Sequence, residues 1–237
     1  MTKIVLGKKE KIDLRTTLKE VDFVDSVQDV KDGCELAFVE GTDKNLSTVD
    51  PQAQEVYIPA HLLTTDQAVA NNTYVYFDLE NYPFYQSAKA IIEKEDKPKG
   101  VFRYRRKVKE GTGEKLFASD IYMLASLLGE PQGLKVKKTD PSVIPAHIIV
   151  MVNFGGGTMA HIEYTISDED RIELEWSGTK NIIEFDSDQM TPISPKGHTT
   201  LPLAYSVDSI VSLAHKLDQS LLDELDKYNQ LIDGGAQ

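Results

Sequence analysis

From residue 143 to residue 186 the chain reads as four consecutive strands joined by tight turns, and over residues 171–176 apolar and polar positions alternate cleanly with a period of two, the spacing of a half-buried strand. Residues 143–154 are rich in β-branched side chains, which favour an extended backbone. Within this run Ile148, Val150 and Val152 fall on one face, and Ile149 and Met151 on the other. Gly155-Gly156-Gly157 then supplies the positive φ angles that a hairpin turn demands. Residues 158–166 predict a second strand, and Ser167-Asp168-Glu169-Asp170 a polar turn. In the third strand Ile172, Leu174 and Trp176 lie opposite Arg171, Glu173 and Glu175. Ser177-Gly178-Thr179-Lys180 turns the chain into a fourth, where Ile183 and Phe185 share a face. The connections are too short for parallel crossovers, so the stretch predicts an antiparallel meander with one apolar face for helices to cover.

Upstream, the pattern changes to short strands alternating with short helices. Residues 3–6, 35–39, 56–59 and 73–77 read as strands, residues 21–30 as a short helix or strand, and residues 43–54 as a polar loop. Thr65 or Asp66 can cap a helix over 67–71. Residues 78–83 read as a turn, and 84–95 as a helix with Tyr85, Ala88, Ile91 and Ile92 at helical spacing. This alternation predicts a small α/β layer with a parallel sheet. Lys97-Pro98-Lys99-Gly100 reads as a domain boundary, dividing the chain into 1–98 and 99–237. Beyond it come a strand at 101–108 with a basic edge, and a loop marked by Gly111 and Gly113. A helix at 119–128 follows, with Ile121, Leu124, Ala125 and Leu128 on one stripe, ended by Gly129 and Pro131, then a strand at 134–138. After the meander, residues 187–204 form a proline-containing excursion. Residues 206–233 predict one long amphipathic helix, with Ile210, Leu213, Leu217, Leu221, Leu225, Tyr228 and Ile232 as its stripe and Gly234-Gly235 as its end.

Composition narrows the function classes. A chain of 237 residues holds one large domain or two small ones. A net charge of −12 argues against nonspecific nucleic-acid binding, which depends on neutralising phosphates. Cys34 is the only cysteine, so no intrachain disulfide forms and a reducing, cytoplasmic setting fits. Its neighbours Asp32 and Glu35 disfavour a thiolate, so it reads as a packing residue. No secretory leader pattern opens the sequence, and no apolar run reaches the ~20 residues that span a membrane. His147, His161 and Glu163 could share a face, but two histidines without a third ligand read as strand residues, and no metal is expected. The guanidinium forks of Arg103, Arg105 and Arg106 suit a carboxylate or phosphate; the competing reading pairs them with the acidic surface.

Three segments together resemble the glucose–fructose oxidoreductase / inositol dehydrogenase (Gfo/Idh/MocA) family. Asp120-Ile121-Tyr122 through Leu127-Leu128-Gly129-Glu130-Pro131 resembles the helix that enters that family's second domain. Val152-Asn153-Phe154-Gly155-Gly156-Gly157-Thr158 with Ile162-Glu163 resembles its paired strands around a glycine turn. Glu175-Trp176-Ser177-Gly178-Thr179-Lys180-Asn181-Ile182-Ile183-Glu184-Phe185-Asp186 resembles its Gly-Thr-x-Gly-x-Ile-x-Phe hairpin. The likeness implies α/β followed by α+β: a reduced Rossmann-like N-terminal domain, then an open, mainly antiparallel sheet with helices on one face. It also implies NAD(P)-linked oxidation or reduction of a sugar or polyol. A homodimer through the C-terminal sheet is expected both from the likeness and from the apolar residues on both faces of 148–152.

The sequence departs from the family at its working parts. Gly-x-Gly-x-x-Gly, which lets backbone and helix N-terminus approach a pyrophosphate, does not follow the first strand; Gly7-Lys8-Lys9-Glu10-Lys11 stands there. Asp22 or Asp25 stands where a ribose carboxylate would be, and both read as solvated acids. In place of the family's Glu-Lys-Pro the chain has Asp78-Leu79-Glu80-Asn81-Tyr82-Pro83, with Glu80 and Pro83 comparable and the lysine missing. The family's histidine has no counterpart in 118–122, leaving Asp120 or Tyr122 as proton partners for hydride chemistry. The expected function is therefore an NAD(P)-linked oxidoreductase with impaired or lost activity, its cofactor NAD(P) by resemblance or none. The alternative is a non-catalytic relative binding a small ligand or a protein. Glu80, Arg103 and Arg105 are the candidate ligand contacts, and no cofactor-binding residue is assigned.

Overall fold

The computed structural model describes residues 1–13, 16–18, 20–52, 54–63, 70–94, 98–109, 115–140, 142–188 and 203–234. The first strand, β1 (Thr2–Gly7), is buried on both faces, with Ile4, Val5 and Leu6 fully inaccessible, as a central parallel strand is. A 3-10 turn at Lys9–Lys11 and a short β2 (Ile12–Asp13) follow it. Then come β3 (Val21–Val24), β4 (Leu36–Glu40), helix α1 (Asp43–Thr48), β5 (Gln54–Pro59) and β6 (Thr73–Tyr76). The strands β3-β4-β1-β5-β6 form a parallel sheet in that order. In a doubly wound dinucleotide fold the strand beside the first precedes the edge strand in the chain. Here β4, beside β1, comes after edge strand β3, and the described connections between them are 3-10 turns, loops and the short β2.

Helix α1 stands where a loop was expected. Its residues have weak helix propensity, but Thr42 caps it by accepting from the Asn45 amide at 3.2 Å. The buried Asn45 side chain donates to the carbonyls of Asp25 and Glu40. After β6 the chain makes one helical turn, α2 (Asp78–Asn81), and then α3 (Pro83–Ile92), which Pro83 opens at its first position.

The second half comprises β7 (Gly100–Val108), α4 (Lys115–Leu128), β8 (Gly133–Lys138), β9 (His147–Gly155), β10 (Thr158–Ile166), β11 (Arg171–Gly178) and β12 (Ile182–Asp186). Both predicted hairpins form, β9 with β10 and β11 with β12. The uninterrupted meander does not: the sheet order is β12-β11-β7-β10-β9-β8, with β7 inserted between β10 and β11. It runs parallel to β10 and antiparallel to β11. A short turn shows only that β10 and β11 run in opposite directions, not that they touch. The turn at 167–170 steps over the end of β7, where the Ser167 amide donates to the Val108 carbonyl at 2.8 Å. Helix α4 covers the inner face, with Phe117 against Tyr164 at 4.0 Å between ring centres. The outer face is open, and Ile149, Met151 and Met159 are 36%, 45% and 38% exposed on it.

The single C-terminal helix is also corrected. Its apolar stripe is present but divided between α5 (Val207–Leu213), entered through β13 (Tyr205–Ser206), and α6 (Gln219–Gly234). Between them β14 (His215–Lys216) pairs with β6, whose edge would otherwise be unpaired. Leu217 is buried there, its amide donating to the Thr73 carbonyl, and Asp218 caps α6 through the Leu221 amide. The C-terminal segment thus returns to the first sheet. The expected helix over 67–71 with its Thr65 or Asp66 cap is almost entirely outside the described residues. So are the loop glycines Gly111 and Gly113, most of the 187–204 excursion and Gly235.

Candidate functional site

In open α/β sheets, ligands bind in the crevice beyond the carboxyl ends of the strands. Here that crevice lies between the two halves. The turn after β1 leads into β2, which pairs with β13, and this pairing directs Lys11 into the crevice. Its ammonium lies 3.3 Å from Asp78 Oδ2 and 3.0 Å from Asp170 Oδ2, and donates to Tyr82 Oη at 3.2 Å. Asp78 opens α2 from the first half, and Asp170 belongs to the turn before β11 in the second. Tyr205 donates to Asp78 Oδ1 at 2.9 Å.

A second cation enters from β7. Arg106 is 1% exposed, its Nη1 lying 3.0 and 3.1 Å from the two carboxylate oxygens of Asp120, and its Nη2 3.5 Å from Asp78 Oδ2. Tyr104 and Tyr164 donate to Asp120 at 3.2 and 3.4 Å. The Arg106 Nε is buried without a hydrogen-bond partner. A cavity of about 260 Å³ opens beside this network, lined among others by Lys8, Lys11, His61, Asp78, Arg106 and Asp170.

Charge is conserved in this crevice by mutual compensation. Burial alone would push the Asp78 carboxyl up, but Lys11, His61 and Arg106 outweigh it and hold the group well below the usual carboxylate range. Burial likewise opposes the Lys11 ammonium, and Tyr82, Asp78 and Asp170 more than restore it. Burial lowers His61, and Lys8, Lys11 and Arg106 add to this against the opposing pull of Asp78. Burial raises Asp120 against the pull of Arg106.

The residues singled out in the sequence are scattered. Asp120 sits behind Arg106, 1% exposed and away from the cavity lining. Tyr122, two positions on, leaves α4 elsewhere and stacks on Phe77 at 4.9 Å. Glu80 is 4% exposed, 2.7 Å from His215 Nε2 and 3.5 Å from Lys89. Arg103 and Arg105 lie on the open face of the second sheet, paired with Glu175 and with Glu163 and Glu173. The period-two alternation along β7 separates them from Arg106. Asp22 and Asp25 pair with Lys31 and Lys9. His147 contacts Thr165 and His161 contacts Glu163, and no group able to hold a metal occurs among the described residues.

Sequence reasoning missed Lys11, Asp78, Asp170, His61 and Tyr205. Lys11 stands in the sequence only as part of Gly7-Lys8-Lys9-Glu10-Lys11, and the pairing of Ile12 with Tyr205 beside it is something no local pattern reveals. Asp78 had a weaker signal, since it starts the segment aligned with the family's Glu-Lys-Pro.

No family model matches the chain, and no curated protein matches it. Solved structures do. A probable dehydrogenase from Thermotoga maritima is 14% identical with a TM-score of 0.56, covering 100% of this chain and 90% of its own. Myo-inositol 2-dehydrogenase from Lactobacillus plantarum is 11% identical with a TM-score of 0.52, covering 100% and 90%. Scyllo-inositol dehydrogenase from Lactobacillus casei, solved with NAD(H) and scyllo-inositol, is 11% identical with a TM-score of 0.50, again covering 100% and 90%. At these identities the likeness is one of fold: the chain has the Rossmann-like, two-sheet architecture of the inositol dehydrogenases and their oxidoreductase relatives.

Proposed function

We propose that this chain descends from the Gfo/Idh/MocA oxidoreductases, has impaired or lost dehydrogenase activity, and keeps its crevice as a site for a small polar ligand. The observation that carries the reading is at the end of β1. A dinucleotide's pyrophosphate needs open backbone and a helix N-terminus there. A Cβ placed on Gly7 would meet Tyr76 Oη at 2.6 Å and Phe38 Cζ at 3.0 Å, so side chains already fill the space over this glycine. The turn that follows is three residues of 3-10 helix, and Lys11 is spent on Asp78, Asp170 and Tyr82. These residues do not fit the cofactor. The cavity of about 260 Å³ falls just below the roughly 300–1,000 Å³ of pockets for drug-sized ligands.

The fold likeness favours the second reading, a divergent NAD(P)-linked oxidoreductase of a sugar or polyol. Titration with NADH and NADPH, followed by cofactor fluorescence, separates the two. No binding up to millimolar cofactor is expected; micromolar binding overturns the proposal. The same reading places the chain in the cytoplasm as a homodimer through its second sheet.

A further inference from the structure

Arg106 is the deeper of the two buried cations in the crevice, and its donors are not all used. Its two terminal nitrogens face Asp120 and Asp78, yet its buried Nε has no hydrogen-bond partner among the described residues. A buried donor left unmade is costly, more so on a charged group, so this one calls for an acceptor. The charges around the cavity that Arg106 lines are unevenly matched. Asp78 and Asp170 are held by Lys11, and Asp188 by Arg171 at 2.7 Å. Lys8 and Lys109 also line the cavity and make no ion pair among the described residues; Glu10 is the one lining carboxylate in the same position. Two ammoniums against one carboxylate leave a surplus of one positive charge, in a chain whose net charge is −12. Val108, Leu116 and Leu203 form an apolar part of the same lining.

We infer that the ligand of the crevice is a small aliphatic monocarboxylate. Its carboxylate accepts from Arg106 Nε, its charge is balanced by Lys8 and Lys109, and its short carbon body lies against Val108, Leu116 and Leu203. This rests on the crevice being a ligand site, as proposed above, and adds the ligand's chemistry. Three features select the class. A guanidinium N–H suits a carboxylate oxygen, and the bond is charge-assisted. A single surplus positive charge matches a monoanion, whereas a phosphate dianion would need donors that Asp78, Asp120 and Asp170 already occupy. A neutral polyol would match neither the surplus charge nor the apolar wall. The cavity of about 260 Å³ suits a body of a few carbons.

Propionate is the probe, titrated into the full chain at low ionic strength and followed by the ¹H–¹⁵N resonance of the Arg106 Nε–H. Propionamide, glycerol and inorganic phosphate are the comparisons. Propionate is expected to saturate with a Kd of about 1 mM, the range open to so small a molecule, and to move the Nε–H resonance. Lys8→Gln and Lys109→Gln should each weaken it by about three- to five-fold, and high salt should weaken it further. Unchanged melting confirms that each variant still folds. Failure of propionate to saturate well above the expected concentration overturns the inference. Propionamide or glycerol binding as tightly as propionate, or phosphate binding more tightly, overturns the carboxylate class while leaving the crevice as a ligand site. Propionate that saturates without moving the Nε–H, or that ignores both lysine variants, overturns the placement on Arg106. Micromolar binding of NADH, read in its own titration, would instead overturn the reading beneath.

Discussion

Replacing Lys11 with Met isolates the electrostatic part of the crevice, because the two side chains are similar in length and volume. In the wild type the ammonium bridges Asp78, whose side chain is 5% exposed, and Asp170, at 28%. Removing one partner of a buried pair costs about 3–5 kcal/mol. Two features place this case at the low end. Asp78 keeps Arg106 at 3.5 Å and the Tyr205 hydroxyl at 2.9 Å, and Asp170 is exposed enough to regain water. The expected loss is about 3 kcal/mol, which at a urea slope of about 3 kcal/mol per molar moves the midpoint down by about 1 M. The single tryptophan, Trp176, is fully buried in the second sheet and reports the transition. Adding Asp78→Asn should cost less than it does alone, since each change removes the same contact. A midpoint shift below about 0.2 M with an unchanged slope would show that Lys11 is already hydrated and that the crevice is open, removing the basis for a compensated network.

Three further outcomes follow from the same geometry. Gly7→Ala should destabilise by about 1–3 kcal/mol, because the new methyl meets Tyr76 Oη, and adding Tyr76→Phe should recover part of the loss; an unchanged melting temperature for Gly7→Ala would show that the space over β1 is free. Asp78, with its folded-state pKa depressed, contributes stability that is fully present above its unfolded value of about 3.9 and is lost as pH falls through the folded value. Urea midpoints between about pH 2 and 5 should therefore fall less steeply for Asp78→Asn than for the wild type, and equal slopes would contradict the depressed value. Thr42→Ala should cost about 1 kcal/mol by removing the cap of α1, measurable in the same titration, and no loss would mean the cap bond is not made in solution.

Much of the fold was legible because burial imposes a period. Two-residue alternation and β-branched runs between turn signals gave the strands of the second sheet, and the three- and four-residue spacing gave α3 and α4. What the period could not give was adjacency. Nothing local says that β7, some sixty residues upstream, slides between β10 and β11, or that β14 leaves a helical stripe to protect the edge of β6. The site suffered most from this. Arg106 was read together with Arg103 and Arg105, yet alternation alone turns it inward while they face out. Lys11 was unreadable, because its burial depends on a strand pair separated by nearly the whole chain.

The missing first helix and the buried Lys11 have one physical cause. In a dinucleotide fold the chain leaving the first strand enters a helix whose positive end is met by phosphate. Here the chain leaves β1 through a single 3-10 turn and continues extended into β2, so β13 satisfies the backbone and a lysine carries the positive charge. That charge needs a negative partner in the same place. Asp78, at the start of α2, supplies one, and Asp170 from the opposite half supplies another. The crevice thereby becomes an internally compensated bridge between the two halves. A phosphate entering it would have to displace carboxylates already held by Lys11 and Arg106.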